Sequence, residues 1–237
     1  LKSLPEAVPP SAGMLQTSHQ LGEKEVVDHE GTVIRSNFVN IYANSAFNDL
    51  VSPRYVKWNV EETYLIRPTN FPDPFGITPP DCFVTQNADP QRIVTFDRNE
   101  VRDLQLSDIL VGARVADQTF HYKHYFTVYQ SAVSKAAFEY WQKVNIVANQ
   151  AGSIFDSPPA FVTGNLINAT QPEQKVLGYF QAVNQTFSRF FLLKEDFPFI
   201  LLPYCDFDYN RPYNDYPYEC LDCLRIRGST WERPAWF

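Results

Sequence analysis

Residues 54–66 read RYVKWNVEETYLI, and the run alternates: Val56, Trp58 and Val60 share one face, with Lys57 and Asn59 between them. Period two in a segment rich in β-branched and aromatic residues predicts a half-buried strand. Upstream, VIRSNFVNIYA over 33–43 repeats the pattern and sets Val39, Ile41 and Ala43 together. Strands with one apolar face must lay it against another layer, so the two predict a packed sheet. Downstream, the prolines crowded into 67–81 force a long loop. Weaker strands follow at 82–85 and 92–96, and a better one at 119–129 (TFHYKHYFTVY). Two more are predicted at 175–182 and 186–193.

The clearest helix lies over 135–151. Ala137, Tyr140, Trp141, Val144, Val147, Ala148 and Ala151 fall on one stripe, with Ser134 as N-cap and Gly152 just past the end. Several short strands plus one helix predict a mainly β chain, an immunoglobulin- or fibronectin-like β-sandwich with one inserted α-helix. Residues 1–32 show no sustained period and read as an irregular, exposed lead-in. The sandwich takes 33–198, with its helix near 135–151. Residues 199–237, rich in cysteine and aromatics but aperiodic, read as a tail packed on the sandwich. No internal repeat is present, which excludes solenoids and propellers.

Composition narrows the function classes. The 237 residues carry 20 basic and 27 acidic side chains, a formal charge of −7, and no basic run, which argues against a nucleic-acid footprint. Aromatics make up 15%, Pro 18 residues and Gly only 9, a balance suited to short strands joined by proline-braced loops. The chain starts at Leu1 with no leader after it, as expected of a mature or trimmed product.

Local signatures of catalysis are missing: no nucleophile elbow, zincin helix, phosphate loop or dinucleotide fingerprint stands in the sequence. The expectation is therefore no catalytic residues, no cofactor and no metal. A hydrolase working through a convergent carboxylate pair is the remaining enzymatic alternative. His121 and His124, three apart on a predicted strand, point to opposite faces and read as half-exposed strand histidines; His19 and His29 fall in the lead-in.

Cys82, Cys205, Cys220 and Cys223 are an even set, which fits an oxidising compartment. Three pairings are open, and at least one tail cysteine is expected to bond Cys82. Zinc held by four thiolates is the rival, disfavoured because just one close pair, Cys220/Cys223, is present. The segment 204–219 (YCDFDYNRPYNDYPYE) offers Tyr209, Tyr213, Tyr216 and Tyr218 as a stacking platform for a ligand or partner. Asp206, Asp208 and Asp215 are candidate calcium ligands there, though their spacing is not that of an EF-hand.

Several blocks are similar to those of the domain of unknown function 4249 family: Ala137-Phe138-Glu139-Tyr140-Trp141, Gly152 through Pro159, Gly164-Asn165-Leu166 and Val176-Leu177-Gly178-Tyr179-Phe180. Cys220-Leu221-Asp222-Cys223, Arg225, Gly228-Ser229-Thr230 and Pro234 resemble its C-terminal signature, and 54–58 its earlier strand. Gly228-Ser229 stands where paired glycines are usual, and Trp236-Phe237 inverts the usual order. The resemblance implies a surface-exposed outer-membrane lipoprotein of a Gram-negative bacterium, attached through a lipidated N-terminus that, with a first β domain, is absent from this chain. It implies a non-enzymatic accessory subunit of a TonB-dependent transporter-like barrel. A stand-alone glycan- or peptide-binding module is the alternative.

Overall fold

In the computed structural model, residues 1–27, 31–47, 53–68, 80–100, 105–150, 161–205, 210–212 and 215–237 are described. In chain order the elements are β1 (Lys2–Ser3), β2 (Met14–Val27), β3 (Val33–Ala46), β4 (Tyr55–Ile66), β5 (Cys82–Asn87), β6 (Val94–Asp97), β7 (Gln105–Val115), β8 (His124–Val133), α1 (Lys135–Gln150), β9 (Leu166–Ile167), β10 (Asn184–Leu192), α2 (Tyr218–Leu221) and β11 (Ser229–Thr230).

The alternation of β4 makes it the central strand. It pairs along one edge with β8, from Tyr55↔Val133 to Tyr64↔His124, and along the other with β6 and then β5. With β10 and β11 at the margins, the larger sheet runs β10-β8-β4-β5-β11, and the smaller runs β2-β3-β7. Val56, Trp58 and Val60 of β4 and Phe126 and Val128 of β8 face Val39, Ile41 and Ala43 of β3 and Leu106 and Val111 of β7. Two apolar faces closed on each other form a β-sandwich, as the strand periods predict.

Helix α1 covers part of the larger sheet's outer face. Ala137 and Phe138 pack on Tyr55 and Val133, and the Lys57 ammonium sits 3.8 Å from the Trp141 ring centroid. Burial lowers the Lys57 pKa. Ser134 caps the helix as expected, its Oγ accepting the Ala137 N–H at 3.1 Å. The predicted end at Gly152 lies outside the described residues.

The tail is tied down covalently. Cys82 bonds Cys223 and Cys205 bonds Cys220, and all four sulfurs are buried with Tyr64, Ile66 and Val84. A tail cysteine does reach Cys82, and paired sulfurs leave no thiolate for zinc.

Three local readings need correction, and one strand was missed. The supposed irregular lead-in contains β2, which pairs with β3 over its whole length, from Met14↔Ala46 to Val27↔Val33. It is an edge strand turned largely to solvent, so no apolar alternation marks it. Strand β7 was masked in sequence by irregularity: Asp108 has φ 57, the register against β3 shifts twice, and the Asp108 N–H donates to Asn44 Oδ1 at 2.8 Å. The strand expected over 119–129 begins at His124, because Asp117 caps a tight turn over Gln118–Phe120 by accepting the Thr119 N–H. Finally, 175–182 is not a strand. Gly178 has φ 116, and its carbonyl lies so near Gly164 that a Cβ there would meet it at 1.7 Å. The Asn165 side chain also holds both the N–H and the C=O of Phe180.

Candidate functional site

Of the tail residues singled out from sequence, Tyr209, Tyr213, Asp206 and Asp208 lie outside the described residues. Tyr216 is buried, with the Arg211 guanidinium 5.2 Å from its ring centroid. Tyr218 is exposed beneath Arg225, and Asp215 is exposed. A buried ring cannot serve as a platform, so Tyr216 is a core residue. Among the described residues no group of three or more His, Cys, Asp and Glu is placed to hold a metal ion.

The structure assembles a different aromatic surface, on the outer face of the larger sheet. In β10 the residues Phe187, Arg189 and Phe191 point outward, opposite Tyr129, Thr127 and Tyr125 of β8. The C-terminal Trp236 and Phe237 fold onto this face, each ring about 5 Å from Tyr125, and Phe237 also meets Phe83 edge-on. Arg189 donates to Thr127 Oγ1 at 2.9 Å, which holds its guanidinium 3.7 Å from the Trp236 centroid. Lys123 sits 4.7 Å from the Phe191 centroid. The rings remain wet all the same: Phe187 is 60% exposed, Phe191 46% and Trp236 36%. An edge strand that turns Phe, Arg and Phe outward while Phe190 and Leu192 point inward spends apolar side chains on both faces. That was the available sequence signal for this surface.

A second constellation lies inside the sandwich. Glu62 shares the inward face of β4 with Val56, Trp58 and Val60, and it is 1% exposed. Its Oε2 accepts from Arg114 Nε at 2.8 Å and from His124 Nε2 at 3.0 Å, and its Oε1 from Gln86 Nε2 at 2.6 Å. Arg114 reaches over from the smaller sheet and also pairs with Asp117 at 2.9 Å. His124 is fully buried, with the Phe120 ring stacked on it at 3.9 Å and the Tyr64 ring at 5.2 Å. It is thus no half-exposed strand histidine: it shares the inward parity of Phe126 and Val128. His121, in the preceding turn, instead donates from Nδ1 to the Leu201 carbonyl. A general base must come within hydrogen-bond reach of its substrate, and here both ring nitrogens and the carboxylate are enclosed and engaged. The arrangement acts as a polar tie between the sheets.

The protonation states follow from this setting. Burial works to raise the Glu62 pKa, but the hydrogen bond and charge of His124 and the charge of Arg114 outweigh it, and the pKa falls below the usual carboxylate range. Burial lowers the His124 pKa against the pull of Glu62, so the ring stays neutral with its proton on Nε2. Both shifts have one sign for stability. An unfolded histidine takes its proton near 6.5 and an unfolded glutamate near 4.5, each above its folded value, so the unfolded chain binds more protons as pH falls. The melting temperature is therefore expected to be level above pH 7 and to fall from pH 6.5 through 4. His124→Gln should flatten the upper part of that slope. A melting temperature constant from pH 7 to 5 would contradict this account of the tie.

Three segments that carry the family resemblance, 137–141, 164–166 and 176–180, meet around a cleft at the start of α1. No curated protein and no solved structure matches the chain. The model of a family described as domain of unknown function, DUF4249, matches residues 15–189, which span the sandwich from β2 into β10, and the chain belongs to that family.

Proposed function

We propose that the chain is a non-enzymatic binding module that docks on a protein partner through the outer face of its larger sheet. The observation that carries the proposal is the row Phe187–Arg189–Phe191 with Trp236 beside it, three large rings exposed together and flanked by two cations. Exposed aromatic groups of this kind, with arginine among them, are the side chains that dominate protein interfaces. The family resemblance supplies the proposed partner class: a TonB-dependent transporter-like barrel, with this chain as the accessory part of a surface lipoprotein at the outer membrane. The positive edge of the patch, Arg189 and Lys123 on a chain of net charge −7, favours a partner face bearing carboxylates beside apolar groups.

Stacking of a sugar is less well supported. A sugar needs an open ring face, and Arg189 already lies against Trp236 at 3.7 Å. Phe187→Ser with Phe191→Ser tests the docking surface. With about 2 kcal/mol for each anchor, the double variant should weaken partner capture from detergent-solubilised outer membranes by roughly a thousandfold. Its melting temperature should stay close to that of the parent, since exposed positions cost little. Undiminished recovery of the same barrel at the same stoichiometry would refute the docking face.

A further inference from the structure

The cleft at the start of α1 lies on a different part of the molecule from the aromatic face. It has a volume of about 510 Å³, within the range of small-molecule sites. Its walls are the segment from Leu4 to Ala7, the first two turns of α1, Gly164-Asn165 and Tyr179. The walls are fixed from several directions. The Leu4 N–H donates to the Asn165 carbonyl at 3.0 Å, the Asn165 side chain grips Phe180, and the Tyr140 and Tyr179 rings lean together at 5.0 Å.

Glu6 enters this cleft with its charge unanswered. Its Oε1 accepts from two neutral hydroxyls, those of Ser134 and Tyr179, while Oε2 is shielded from water and has no hydrogen-bond partner. No cation among the described residues pairs with it. The other charges lining the cleft are Glu139, which is bridged to Lys135 at 3.5 Å, and Lys143. A carboxylate drawn out of water without a counter-charge is costly, and hydroxyl donors alone leave that cost partly unmet. Two tyrosine rings beside the carboxylate suit the same kind of visitor, because an ammonium group is also attracted to an aromatic face.

We infer that this cleft is a binding site for a primary ammonium carried on a small flat apolar body, with Glu6 as counter-ion and Tyr140 and Tyr179 as walls. The chemistry fits an aromatic monoamine or the amino end of a peptide. The test titrates the full chain with phenethylamine at pH 7 and follows it by calorimetry and by the amide signals of 134–143 and 179. Expected is saturable binding, lost at least tenfold for N-acetylphenethylamine and for phenylacetate. Glu6→Gln, which keeps the shape and an acceptor for Ser134, should lose at least tenfold too, whereas Phe187→Ser should leave binding unchanged. Tyr140→Ala gives a second route if Glu6→Gln melts early, and should also weaken binding. Absence of binding at 10 mM amine (a concentration on the order of that needed for a weak small-molecule contact), equal binding of the acetylated compound, or undiminished binding to a folded Glu6→Gln would each overturn the assignment.

Discussion

Replacing Cys82 and Cys223 together by alanine is expected to cost the fold about 5 kcal/mol, on the chain-entropy account of cross-links. The bond joins residues 141 apart, so without it the unfolded chain regains the freedom of a very long loop. That sum rivals the whole stability of many domains, about 5–15 kcal/mol. At about 2–4 °C per kcal/mol for a chain of this size, the melting temperature should drop by roughly 10–20 °C. The Cys205–Cys220 bond spans 15 residues, and its removal should cost about 3 kcal/mol on the same account. Thermal melts of the two double variants check the order. Equal losses, or no loss for Cys82/Cys223, would show that the tail is held by packing around Tyr64, Ile66 and Val84 rather than by covalent closure.

The second large effect is expected at Glu62. Glu62→Ala should destabilise by about 3–5 kcal/mol, the usual penalty for stripping one partner from a buried ion pair. Arg114 would then keep Asp117 but lose its bond to the inner carboxylate, and His124 and Gln86 would each lose an acceptor. Replacing Glu62 and Arg114 together by methionine should cost less than either single change, because no buried charge is then left facing an apolar wall. Urea unfolding of the two single variants and the double variant reads the coupling. Strictly additive losses would mean that the tie does not act as a unit.

Much of the architecture could be read from side-chain alternation, and the particular elements show why. Strands β3 and β4 bury one face each, so Val39, Ile41, Ala43, Val56, Trp58 and Val60 had to alternate. The helix announced itself through Ala137, Trp141 and the Ser134 cap. Strand β2 stayed hidden because an edge strand facing water is free of that constraint, and β7 because a left-handed Asp108 breaks its period. The stretch 175–182 looked like a strand until Gly178 turned it. Glu62 and His124 were hidden for another reason. Charged and polar residues are ordinarily placed on the surface, yet their parity with Val60 and Phe126 already assigned them to the interior. The aromatic face was marked only by apolar residues of both parities in β10, because Trp236, nearly fifty positions away, lies across Arg189 with no local signal to show it. The pairing of the four cysteines likewise depended on how an aperiodic tail folds back.

The nesting of the two cystines has a mechanical consequence. If the chain is pulled from its ends, tension passes from residue 82 directly to residue 223 across the sulfurs, and the segment between them carries no load. Strands β5 through β10 and helix α1 are bypassed, so only the lengths before the first crossing and after the last can stretch. With both ends held, extension is confined to the stretch ahead of Cys82, which carries β2, β3 and β4, and to the short stretch behind Cys223, while β8 and β10 lie outside the load path.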